Sequence, residues 1–266
     1  DHYLGKSSVQ SIFEMRRVNR ILNLMIRGSE VANIQITAFE DIGIGERVGY
    51  FENTGIIKDM IQSHLLQTLA LLTMSVPLTM EAVSMQRERH NVLTAIQPPQ
   101  APDDIVLGQY KSYIEEKGVP EHSKTETFVG LRLFIDREDW NGVPVYLRTG
   151  KKTHEKHTFV TIELKKFDWQ DKDQQPNRVI VEIQPQPQFH IRLLNKLMGS
   201  EKYQEVATSD SIACDIEGCL PDHASLILDA LHKDRTYFLS FQEILATWGV
   251  TDKVIAMIEE HKLKLH

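Results

Sequence analysis

The chain has 266 residues, 41% of them hydrophobic and 25% charged, and a formal net charge of −7. That is the make-up of a folded protein with a sizeable core, and it excludes a disordered tract, a whole-chain nucleic-acid binder or a protein drawn to anionic membranes. The two cysteines, Cys214 and Cys219, form a lone C-x4-C pair, poor as a zinc signal and as a disulfide framework, so a reducing, cytoplasmic setting is expected.

The first six residues, DHYLGK, gather an acid, an imidazole, a phenol and an amine. Chain ends usually fray, but here an amphipathic pattern follows at once. Val9, Ile12, Phe13, Val18, Ile21, Leu22, Met25 and Ile26 step at helical spacing, with Ser7 or Ser8 as cap. DHYLGK thus approaches a helix N-terminus, where unpaired N–H groups and the dipole favour an anion and Lys6 adds a full charge. The chain opens without Met, inside this apparent motif, which suggests a fragment or a mature piece.

Residues 33–40 alternate and read as a strand ending at Glu40. A Gly-rich loop follows. Its Gly43, Gly45 and Gly49 lack the G-x-G-x-x-G spacing of a dinucleotide turn. A helix is expected over 56–76, capped near Asn53 or Thr54. Its run 65–76 is too short and too mixed to span a bilayer. It carries Asp59 and His64, five residues apart, hence roughly 140° around a regular helix and not stacked. A histidine there is ordinarily a core or interface residue; a shared role with Asp59 needs a pocket that sees both.

Residues 95–127, with four prolines, read as a long connection with one short helix near Lys111–Lys117. Strands follow: FVGLRLFID, with Val129, Leu131, Leu133 and Ile135 on one face, then VPVYLRTG, TFVTIELKKF, RVIVEIQP and QFHIRLL. A helical end closes the chain. The order predicts an α+β fold, a large mostly antiparallel sheet with helices packed on one side. No G-x-S-x-G, P-loop or HExxH is present. Lys151, Lys152 and Lys156 make a local basic patch that would otherwise pass as a solvated turn. His154 and His157 lack suitable partners for a metal, so none is expected.

Taken in order, DHYLGK, GYFENTGIIKDMIQSHLLQ, VLGQY, WNGVPVYLRTGKK, IQP and LILDAL resemble the glucose-6-phosphate dehydrogenase family over nearly the whole chain. The resemblance implies that residues 1–266 form one C-terminal substrate-binding, catalytic and dimerisation domain, with the NADP-binding Rossmann domain outside this sequence. It implies oxidation of glucose 6-phosphate by NADP+ to 6-phosphogluconolactone, the first oxidative step of the pentose phosphate pathway. This chain alone is expected to be inactive. His64 would be the general base and Asp1 its orienting acid. His2 and Lys6 would hold the phosphate with Tyr3 beside them, Glu40 and Asp59 would accept hydrogen bonds from sugar hydroxyls, Lys151 and Lys156 would reach into the same pocket, and Gln184 would line it. A homodimer or homotetramer joined through the sheet is implied. The alternative is a non-catalytic phosphosugar-binding or dimerisation domain.

The sequence departs from the family at several points. Lys156 stands where some members have Arg, losing the planar fork. Glu182 and His157 replace basic residues that hold a structural NADP+ in some members, so that site is not expected. Asp222-His223-Ala224-Ser225 lacks the Tyr-Glu-Arg that usually precedes LILD.

Overall fold

A computed structural model describes residues 3–171, 173–213 and 219–266. Asp1, His2 and Cys214, named above, lie outside the described residues.

Helix α1 (Ser7–Val18) ends at Asn19, whose backbone turns extended and whose side-chain amide donates to Met15 O at 3.0 Å. The expected single helix is therefore two, with α2 (Arg20–Met25) after the break. An Asn that bonds its own preceding turn competes with helix continuation.

Strand β1 (Val31–Phe39) follows. The stretch expected to be a loop then folds as α3 (Val48–Ile56). Gly55 breaks its geometry at φ +64°, ψ 173°, conformations closed to side chains. Ile57–Leu65 is a π-helical stretch, in which Leu66 N–H reaches back to Ile61 O, five residues away. It runs into α4 (Leu66–Thr73), all of whose residues are buried. An apolar run with no polar face is what a central helix requires.

Helix α5 (Ala82–Ala95) leads into the sheet region. The polar connection holds two unforeseen strands, β2 (Ile96–Gln97) and β3 (Ile105–Gly108), and its helix is only a turn, Tyr113–Glu115. Then come β4 (Phe128–Ile135), β5 (Val145–Gly150), β6 (His157–Leu164), β7 (Arg178–Gln184), β8 (Gln188–Lys196) and β9 (Tyr203–Ser211). Helices α6 (Asp222–Leu231) and α7 (Phe241–His261) end the fold.

The nine strands form one sheet in the order β2-β4-β5-β1-β6-β7-β8-β9, with β3 also on β4. Every pairing is antiparallel except β1 with β5. Alternation in β4 buries Val129, Leu131, Leu133 and Ile135, as the sequence implied. The same alternation in β7 buries Val179, Val181 and Ile183. The π-helical stretch packs on β1 and β5, and α1 on β7.

The C-terminal helix is tied in by charge. Ser240 and Glu243 form a reciprocal cap at its start. The same Glu243 receives Arg89 Nε at 2.6 Å, with both side chains fully buried. Arg89 also donates to Thr236 O and Phe238 O. One correction concerns Cys219, which forms a disulfide, against the sequence expectation.

Candidate functional site

The parallel pairing of β1 with β5 builds the site. Parallel strands end on the same edge of a sheet. The register sets Phe39 beside Gly150, so the next residues, Glu40 and Lys151, emerge side by side. Glu40 N–H donates to Gly150 O at 2.9 Å, holding the two chains together past the last rung. Lys151 Nζ donates to Glu40 Oε2 at 2.5 Å and lies 3.0 Å from Asp59 Oδ2. Its side chain is 2% exposed, and it also lies over the Phe51 ring at 5.2 Å. A buried ammonium flanked by two carboxylates is a compensated arrangement.

The π-helical stretch supplies the other half. In a regular helix Asp59 and His64 would diverge. In the π register residues five apart are hydrogen-bonded neighbours, so both face one cavity. That cavity, about 270 Å³, is lined by Glu40, Arg47, Tyr50, Asp59, Met60, Ser63, His64 and Lys151. The sequence pattern missed Arg47, Tyr50, Met60 and Ser63. Tyr50 has its hydroxyl 3.4 Å from Asp59 Oδ1; α3, unforeseen, carries it there.

A second shelf adjoins the first. The Tyr3 ring stacks on His64, centroids 4.3 Å apart and planes 23° apart. Burial pushes the Tyr3 phenol up, while a hydrogen bond with Thr158 pulls it down and Glu40 and Asp59 raise it further. Thr158 lies opposite Gln184 in the β6–β7 register, at the end of β7. Lys6 Nζ sits 5.6 Å from the Tyr3 ring centroid. Burial pulls Lys6 below the lysine range; Asp222 opposes this and the like charge of Lys156 adds to it.

Of the sequence candidates, Glu40, Asp59, His64 and Lys151 share the cavity. Tyr3 and Lys6 meet on the adjoining shelf, the charge of Lys156 reaches Lys6, and Gln184 stands opposite Thr158 at the end of β7. A larger cavity of about 670 Å³ beside Arg16, Trp140 and Lys165 contains none of them. Among the described residues no cluster of three or more His, Cys, Asp or Glu could hold a metal ion, and no helix is long and apolar enough to cross a membrane.

An array of two carboxylates bridged by a cation offers hydroxyl groups both acceptors and a donor. An imidazole at its edge can take a proton near neutral pH. Lysines beyond an aromatic ring, next to a helix N-terminus, suit an anion.

The pattern for the glucose-6-phosphate dehydrogenase C-terminal domain matches residues 13–266. Glucose-6-phosphate 1-dehydrogenase of Dictyostelium discoideum is 34% identical over 278 residues, covering 99% of this chain and 56% of that protein. The Bacillus subtilis (strain 168) enzyme of that name is 33% identical, covering 96% of this chain and 56% of its own length. A glucose-6-phosphate dehydrogenase solved in complex with its substrate glucose-6-phosphate superposes with a TM-score of 0.89 at 31% identity, over 97% of this chain and 56% of that one. The chain thus spans about half the length of the relatives it matches. With the family pattern running from Phe13 to His266, the chain belongs to the glucose-6-phosphate dehydrogenase family, as its C-terminal domain.

Proposed function

We propose that this chain binds glucose 6-phosphate and supplies the proton-abstracting half of its NADP-dependent oxidation to 6-phosphogluconolactone, the entry step of the pentose phosphate pathway. The observation that carries the reading is the Lys151–Glu40–Asp59 network opening on the same cavity as His64. Glu40 and Asp59 accept hydrogen bonds from ring hydroxyls, and Lys151 donates to them while holding both carboxylates in place. His64 takes the proton of the O1 hydroxyl, a contribution of typically 10²–10⁴ in rate. Tyr3 keeps the imidazole plane fixed by stacking. Lys6 and Lys156, with the N-terminus of α1, hold the phosphate, each charge-assisted bond contributing about 1.5–3 kcal/mol. Asp1 and His2 complete the proposal by family resemblance alone, as the acid behind His64 and a phosphate ligand. NADP+, held by a domain expected in the remaining length of the relatives, would supply the hydride acceptor when bound.

A second, structural NADP+ does not fit this chain. Glu182 lies 3.5 Å from His157 Nε2 and 3.8 Å from His190 Nε2, a carboxylate where a coenzyme phosphate would need cations. We also propose a homodimer through the outer sheet, where Leu193, Tyr203 and Val206 are exposed apolar residues on β8 and β9; a stable monomer in light scattering at micromolar concentration would refute it. The cytoplasm is still the proposed compartment, although the Cys219 disulfide removes the reducing-setting argument for it; cell fractionation checks it.

Titration calorimetry of this chain with glucose 6-phosphate, against glucose, tests the site. Saturable binding that requires the phosphate supports the reading. Equal binding of both ligands, or of neither, refutes it.

A further inference from the structure

The phosphate corner proposed above already contains an anion from the chain itself. Ser7 is the first residue of α1, and its N–H donates to Asp222 Oδ1 at 3.0 Å, across 215 residues of sequence. Asp222 opens α6. That helix has no buried residue of its own and rests on the Tyr3–Gly5 turn. A Cβ on Gly5 would meet Leu226 Cδ1 at 2.3 Å, so a larger residue here would have to push the Leu226 side chain aside. Two contacts therefore clasp α6 to the corner: Leu226 against Gly5 and Asp222 on the α1 N-terminus. The carboxylate also attracts Lys6.

An aspartate and a phosphate compete for the same things here, an unpaired helix N–H and a nearby ammonium. Two anions cannot both take them, and left together they repel. Asp222 also falls in the stretch where the sequence departs from the family pattern.

We propose that Asp222 is a built-in competitor at the sugar-phosphate site: its carboxylate holds the Ser7 N–H until the substrate phosphate displaces it. This rests on the sugar-phosphate reading. Every anion entering the corner meets the same opposition. Only a ligand that also offers hydroxyls to Glu40, Asp59 and Lys151 recovers that loss. Inorganic phosphate has no sugar ring to make those contacts, so the same loss leaves it bound only weakly in the corner. A site that must open before it binds has its apparent affinity reduced by the fraction open.

The test is calorimetry on the chain with glucose 6-phosphate, inorganic phosphate and glucose, for wild type, Asp222→Asn and Asp222→Ala. The Ser7 amide is followed by NMR in parallel. Both variants are expected to bind glucose 6-phosphate and inorganic phosphate about fivefold more tightly, the scale of one carboxylate at a partly exposed helix N-terminus. Glucose binding stays the same. The Ser7 amide should move on substitution, and move again on adding phosphate to wild type. If wild type binds glucose 6-phosphate and neither variant gains, or either loses affinity, Asp222 is only a cap and the proposal is overturned. If neither wild type nor variants bind glucose 6-phosphate, the sugar-phosphate reading fails first and this proposal with it.

Discussion

Replacing Lys151 by Met removes the cation at the centre of the candidate site and leaves the size of the side chain nearly unchanged. Two carboxylates then face each other with no charge between them. Breaking a buried ion pair by deleting one partner costs about 3–5 kcal/mol. Lys151 is 2% exposed, but Glu40 and Asp59 keep 27% and 13% side-chain exposure, so water relieves part of the repulsion. We expect about 3 kcal/mol, the low end of that range. Urea unfolding followed by circular dichroism measures it as a drop in midpoint at unchanged slope. Lys151→Arg keeps the charge and should lose far less. Adding Glu40→Gln to Lys151→Met removes one of the stranded charges and should restore a part of the stability. Glucose 6-phosphate binding should vanish in Lys151→Met even under conditions where it is folded. A stability within about 0.5 kcal/mol of wild type, the usual effect of a neutral surface substitution, would show that the pair carries nothing and would refute the reasoning.

Three further outcomes follow from the same structure. Arg89→Met should cost about 3–5 kcal/mol by stranding buried Glu243, whereas Arg89→Met with Glu243→Leu should be milder, limited by the lost helix cap; equal losses in the two unfolding curves would contradict this. Gly55→Ala puts a side chain at φ +64° and 2.2 Å from Glu126 Oε1, so about 1–3 kcal/mol of strain should appear in thermal unfolding; an unchanged midpoint would mean that the backbone relaxes freely. Burial pushes the Glu126 carboxyl above its ordinary 4.5, against the hydrogen bonds from Ile56 and Ile57. The folded state then holds the proton more tightly than the unfolded one, so this stability is full at pH below 4.5 and is lost as pH rises through the raised value. Glu126→Gln, which does not titrate, should lack that decline; parallel pH profiles for the two proteins would count against it.

Strands β4 to β7 were legible because each buries one face, and alternation at a period of two records that directly, whereas β8, with no buried residue, was read from its apolar composition alone. β9 was not, because all nine of its residues are exposed and no apolar pattern marks it. β1 was read as a strand, but its insertion between β5 and β6 was not, since nothing local in residues 31–39 names a partner more than 100 positions away. Glu40 and Lys151 were therefore named separately, each for ending a strand, and their 2.5 Å contact came from topology. Asp59 and His64 were both named and their relation was misjudged, because a period of 3.6 was assumed where the chain takes a wider turn. The Gly-rich stretch before them read as loop by composition, which hid α3 and with it Arg47 and Tyr50. Lys6 was named because a helix N-terminus follows it, and Tyr3 was named through the family resemblance. The hold of Asp222 on that corner could not be found, since Asp222 lies 215 residues from Ser7 in a helix that buries nothing.

Two independent devices thus converge on one carboxylate. The parallel strand ends bring Lys151 to the cavity, and the Gly55 kink with the π-helical stretch brings Asp59 to Lys151. A network held in place by the fold itself needs no ordering when a ligand binds to it. The same convergence forbids additivity. Gly55→Ala shifts the start of the stretch that carries Asp59, and Lys151→Met removes the partner that Asp59 is held against. Once Asp59 has been displaced, deleting Lys151 strands one carboxylate, not two. The double variant should therefore lose less stability than the sum of the single losses, by about 0.5–3 kcal/mol, the coupling range for residues in one network. Three unfolding curves against wild type measure the difference. Strict additivity would mean that the kink acts on the fold somewhere other than Asp59, and that the π-helical stretch reaches its place without help from Gly55.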